Sequence, residues 1–189
     1  MKREIDPGEW PNLIAGGPLL LVSSRHAEKL NIITVSWSTP LSLKPPMAAI
    51  SVGKGSFSAE LIKASMEFVI NVPHGGLLKE ILYCGTLSGR HFNKFEKCSL
   101  TPVEGKHTRT PSIAECCGYL ECRVKEVNER YGSLLFIAKV LGAAAEEGLY
   151  SKKGWDLKKM KLVHHLSPST FELSGDTIAI PERENGAEP

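Results

Sequence analysis

Three groups of side chains have the types and spacing to hold a flat, anionic ligand. The first is Ser51 to Ser58 (SVGKGSFS), where Lys54, Ser56 and Ser58 place one ammonium and two hydroxyls just ahead of a helical pattern. Backbone N–H groups at a helix start, hydroxyl donors and a lysine suit a phosphate monoester. A solvated glycine-serine turn that merely caps the helix accounts for the same residues. The second group is Ile33 to Ser38, where Ile33, Val35 and Trp37 alternate with Thr34, Ser36 and Ser38. Side chains alternate across a strand, so this pattern predicts one apolar face and one face of three hydroxyls. Those hydroxyls and the backbone of Val35 and Trp37 can hydrogen-bond the edge of a heteroaromatic ring. Equally, such a strand can simply face solvent, with Trp37 in the core. The third group is the basic loop Ser88, Gly89, Arg90, His91, Asn93, Lys94 and Phe95, able to close on a ligand or to serve as ordinary surface.

Other chemistries find no support in the sequence. There is no G-x-S-x-G serine, no Walker loop, and Gly53-Lys54-Gly55 lacks the third glycine of a dinucleotide fingerprint. Cys84, Cys98, Cys116, Cys117 and Cys122 are odd in number and contain no C-x-x-C pair, so reduced, buried thiols are expected, with no metal site. His164-His165 has no spaced partner, and Glu146-Glu147 reads as a solvated turn.

The elements that must position these groups are mostly strands. Strand patterns run over Pro18–Ser23, Ile33–Ser38, Met47–Val52, Glu67–Val72, Tyr119–Val127 and Leu134–Leu141, with a hairpin between the last two. His26 to Lys29 reads as a turn, and Pro40, Pro45 and Pro46 are expected to break the ladder and close a loop. Short helices are predicted over Ser58–Ala64 and Gly75–Leu82, followed by a polar loop to Lys94; weak strand signals extend to Ile180. The pattern is that of a mainly β chain with covering helices, an antiparallel barrel or sandwich. With 189 residues, no internal repeat and no composition shift, a single domain over 1–189 is expected, with a disordered tail from about residue 182. The net charge of +2 argues against a nucleic-acid or membrane surface. The start MKREIDPGEW carries no signal-peptide pattern and no apolar run reaches the ~20 residues of a membrane span, so a cytoplasmic protein is expected.

Taken in order, PLLLVSS, the stretch from Asn31 to Pro73 (NIITVSWSTPLSLKPPMAAISVGKGSFSAELIKASMEFVINVP), CGTLSGRHFNKFE and GYLECRV resemble the flavin reductase-like, FMN-binding split-barrel family, and within it the flavoredoxin group. The resemblance implies an antiparallel split β-barrel with FMN held non-covalently near a homodimer interface. It implies the phosphate on Ser51 to Ser58, so that Ser51, Val52 and Phe57 join Lys54, Ser56 and Ser58, and the isoalloxazine along Asn31 to Ser38. Asn31, Trp37, Ser58 and Lys94 match positions where the family contacts flavin or its phosphate; Ser58 stands where threonine is common. One departure is Tyr131-Gly132-Ser133, where the family often has a histidine near the ring. The implied activity is hydride or electron transfer through FMN, with NAD(P)H as donor. The alternatives are an electron carrier serving a redox protein partner without NAD(P)H turnover, and a cofactor-free binding domain on the same barrel.

Overall fold

A single helical turn, α1 (Pro11–Ile14), precedes two strands, β1 (Leu20–His26) and β2 (Lys29–Val35). They pair antiparallel from Leu20↔Val35 to His26↔Lys29, around the two-residue turn Ala27-Glu28. Next come β3 (Ser38–Leu43), β4 (Pro46–Gly53), helix α2 (Phe57–Ser65) and β5 (Glu67–Val72). A 3-10 turn over Gly75–Leu77 leads into α3 (Leu78–Thr86), and a loop then reaches the short α4 (Lys94–Lys97). The two-residue strands β6 (Pro102–Val103) and β7 (Ser112–Ile113) pair before the long hairpin of β8 (Gly118–Arg130) and β9 (Ser133–Ala145). Two small hairpins follow, β10 (Tyr150–Ser151) with β11 (Gly154–Trp155) and β12 (Val163–Ser167) with β13 (Thr170–Leu173). The computed structural model describes residues 4, 10–14, 17–167 and 170–175, so the tail expected from about residue 182, and Ile180, lie outside the described residues.

Seven strands form one antiparallel sheet in the order β2-β1-β5-β8-β9-β4-β3. Its two edges, β2 and β3, are joined in sequence by only Ser36 and Trp37. A link of two residues cannot cross a flat sheet of seven strands at about 4.8 Å spacing. The sheet must therefore curl until its edges meet, and because they do not hydrogen-bond, the barrel stays split. Inside it lie Val22, Val35, Ile50, Val52, Phe68, Phe136 and Ala138. The opposite faces of β1 and β2 supply Leu21 and Ile32, with Leu19 just before β1, to a second cluster with Ile81, Cys84 and Phe95 beneath α3 and α4.

Two expectations are corrected here. Pro40 does not break the ladder: it pairs with Ala48 inside β3, with a register shift between Pro40 and Ser42. β3 is an edge strand, where a residue lacking an N–H costs no inter-strand bond on the open side. The strand expected over Ile33–Ser38 also ends early: β2 stops at Val35 and Ser38 opens β3, so only Thr34 of the three hydroxyls stands on β2. Ile32 is fully buried on the same face, and Thr34 Oγ1 donates to the Ile81 carbonyl of α3 at 2.5 Å.

Candidate functional site

At the start of α2, Ser56 is the N-cap, and its hydroxyl accepts from the Ala59 N–H at 3.1 Å. The start of this helix, the beginning of β2, the end of α3 and the loop up to Lys94 together enclose a cleft of about 260 Å³. Asn31, Ser56, Phe57, Ser58, Ser88 and Lys94 line it. Ser58 is buried; its Oγ accepts from Asn31 Nδ2 at 2.9 Å and from Ser24 Oγ at 3.4 Å. Having accepted twice, that hydroxyl keeps its own proton for donation. Asn31 is 2% exposed, and its Oδ1 has no hydrogen-bond partner among the described residues. A buried polar atom left unsatisfied costs about 1–3 kcal/mol, which a ligand donor would recover. Gly89 is required opposite it, since a Cβ there would come within 2.0 Å of Asn31 Oδ1.

Lys94 is the most telling residue of the cleft. The first residue of α4, it is 4% exposed, and its Nζ donates to the carbonyls of Ile32 at 2.8 Å and Cys84 at 2.7 Å. An ammonium has three donors, so one remains. No ion pair among the described residues involves it. Burial holds its pKa below the usual lysine value, an effect that the neighbouring Cys84 and Cys98 partly oppose. A buried cation with no carboxylate partner is costly unless an anion arrives.

The remaining sequence candidates divide among other places. Ser36, Trp37 and Ser38 line a separate cleft of about 280 Å³ with Trp10, Pro11, Ile14 and Gly17, and Trp37 is half exposed there. Thr34 is spent on α3, while Val35 and Val52 are core residues inside the barrel. Ser51 pairs with Leu135, and its N–H donates to the Trp37 carbonyl at 2.9 Å. Phe95 is buried beneath β2 in the second cluster. Lys54 lies outside the lining of the cleft; its ammonium is salt-bridged to Glu129 of β8, and its N–H donates to the Gly132 carbonyl at 3.0 Å. Tyr131 and Gly132 form the positive-φ turn of the β8–β9 hairpin, with Tyr131 fully exposed.

Several contributors were not singled out from sequence. Cys84, Gly85, Thr86 and Leu87 line the cleft from the end of α3, and Ser24 supports Ser58 from β1. Their adjacency to Ser88 was the available signal for the first four; Ser24 gave none. Burial, reinforced by Cys98, pushes the Cys84 thiol up to about 12, so it stays protonated in the wall of the cleft. No helix among the described residues is long and apolar enough to cross a membrane.

The fold has known counterparts. The flavoredoxin of Methanosarcina acetivorans superimposes with a TM-score of 0.86 at 27% identity, over 97% of this chain and 96% of that one. The flavoredoxin of Desulfovibrio vulgaris (Miyazaki F) gives 0.79 at 25% identity, covering 87% and 90%. In sequence, the uncharacterized protein YddH of Escherichia coli K12 is 30% identical over 174 residues, 88% of this chain and 91% of its own length. Residues 14–165 match the family described as the flavin reductase like domain. That match spans the barrel and the cleft together, and the chain belongs to the flavin reductase-like family.

Proposed function

We propose that this chain is an FMN-binding flavoprotein that moves electrons or hydride through the bound flavin. The observation that carries the reading is Lys94: a buried ammonium with one donor unspent and no acidic partner, beside a serine whose proton is also unspent. The residues fit a flavin monophosphate. Lys94 and Ser58 would donate to phosphate oxygens, with the N–H groups at the start of α2 alongside them. Asn31 Oδ1 would take a donor from the ligand. The ring would extend along β2 toward Trp37, where Ser36 and Ser38 border the second cleft.

The chain itself needs little further chemistry. Bound FMN supplies a centre that accepts a hydride at N5 or passes electrons singly. The protein's part is to fix the ring and to tune it with backbone donors of the β2 edge. Two uses remain distinct. An NAD(P)H-dependent flavin reductase would oxidise nicotinamide directly, whereas a carrier would exchange electrons with a redox protein. Exposed Trp10 and Trp37 at the second cleft would become buried in a homodimer.

The test is uptake and bleaching. Protein mixed with FMN and desalted should retain yellow colour, with an absorbance band at roughly 450 nm. Under anaerobic conditions, rapid bleaching by NADH or NADPH marks the reductase; bleaching only by a reduced protein donor marks the carrier. Colourless protein that takes up no FMN overturns both and leaves a cofactor-free barrel.

A further inference from the structure

Arg90 lies beside the cleft, next to Gly89 of its lining. Its Nη1 donates to Glu60 Oε2 at 2.8 Å, its Nη2 donates to the Gly55 carbonyl at 3.4 Å, and its guanidinium carbon sits 5.2 Å from the centre of the Phe57 ring. All three partners flank Ser58 at the start of α2. The Arg90 N–H is in turn held by Ser88 Oγ at 3.3 Å, and its neighbour Gly89 packs against Asn31. One side chain thus ties the loop wall of the cleft to the helix wall. On its outer side is a hollow of about 590 Å³, continuous with the cleft through Phe57 and Gly89.

The partner that Arg90 holds is a weak one. Both side chains of the Arg90–Glu60 pair are about half exposed, so water and salt screen it. A phosphate monoester carries close to two charges and accepts a guanidinium through two parallel hydrogen bonds. The contact with the Gly55 carbonyl already brings the guanidinium to the end of α2 where Ser56 and Ser58 lie. Resting on the flavin mononucleotide reading, we propose that Arg90 is a phosphate-binding residue held in reserve by Glu60. Phosphate entering the cleft takes the guanidinium over from the carboxylate, while Phe57 remains the surface on which it pivots. Glu60 thereby sets how strongly the site prefers a phosphorylated ligand over the same ring without phosphate.

The test titrates the full chain with FMN and with riboflavin, following flavin fluorescence, for Arg90→Ala, Glu60→Gln and the double variant. Loss of one charge-assisted pair predicts that Arg90→Ala weakens FMN by about tenfold or more while riboflavin stays within about twofold. Glu60→Gln should tighten FMN several-fold, and that gain should vanish in the double variant. Arg90→Lys should recover only part of the loss, because an ammonium cannot make the paired contact. Equal weakening of both flavins by Arg90→Ala would make Arg90 a wall support only and overturn the inference. Weaker FMN binding on Glu60→Gln would likewise overturn it, since the pair would then be needed intact. If Arg90→Ala leaves the preference for FMN untouched, this inference falls and the flavin reading stands. If the unaltered chain takes up neither flavin, both fall.

Discussion

The surroundings of Lys94 and of Lys54 are opposites. Lys94 is buried at the start of α4, holds two backbone carbonyls and forms no ion pair among the described residues. Lys54 stands exposed after β4 and is already paired with Glu129, whose carboxyl it holds below the usual range. The Lys54 ammonium and N–H are both tied to the β8–β9 hairpin, whereas the guanidinium of Arg90 reaches Gly55 and Phe57 in the cleft wall. A buried lysine without a counter-ion keeps an electrostatic demand that an anion can meet. The comparison teaches that a phosphate site here is better located by an unmet charge than by a lysine lying next to serines in sequence.

That contrast can be broken by substitution. The largest effect is expected from Lys94→Met, which keeps the length of the side chain and removes the charge. FMN affinity should fall by roughly tenfold to a hundredfold, the worth of a charge-assisted hydrogen bond, with riboflavin changed far less. Gly89→Ala comes next. Its methyl would drive Asn31 away from Ser58, so both flavins should weaken and thermal stability should drop, measurable as a lower Tm. Ser58→Ala removes the acceptor of Asn31 and Ser24, and a loss of about 1–3 kcal/mol in stability is expected from denaturant unfolding. The smallest effect belongs to Lys54→Ala, which should leave FMN affinity within about twofold because its exposed ion pair contributes little. A large effect there would reverse the comparison.

Acidity sharpens it further. The Lys94 pKa is lowered in the folded protein, so its ammonium gives up a proton before an ordinary lysine does. The unfolded chain then holds more protons between the lowered value and the ordinary one. Stability of the ligand-free protein should therefore gain from Lys94 as pH rises through that window. The preference for FMN over riboflavin should move the other way and decline across the same window, because the charge that phosphate needs is lost. Titrating both flavins across alkaline pH checks this, and the ratio cancels any change shared by the two rings.

The strands were legible from short apolar runs bounded by turn residues, and in Tyr119 to Val127 from alternation. Leu134 to Leu141 and Tyr119 to Val127 were expected as a hairpin, and they pair as one, although each strand runs to 13 residues. Helix α2 was legible within a residue at either end. Less visible was the fate of Pro40, since the sequence does not say which strands end at an edge. The burial of Thr34 and Lys94 was hidden for a related reason. Whether a polar side chain faces water depends on what packs over it, and α3 and α4, which cover β2, are distant in sequence. Asn31, Ser58 and Ser88 do line one cleft, while Ser36, Trp37 and Ser38 line another, a division that strand periodicity cannot reveal.

The most direct test of the account is the affinity gap between FMN and riboflavin, measured side by side in the unaltered chain and in Lys94→Met. The account predicts that the unaltered chain binds FMN more tightly and that the gap largely closes when the buried ammonium is removed. Equal affinity for the two flavins in the unaltered chain, or a gap that survives Lys94→Met intact, would contradict it.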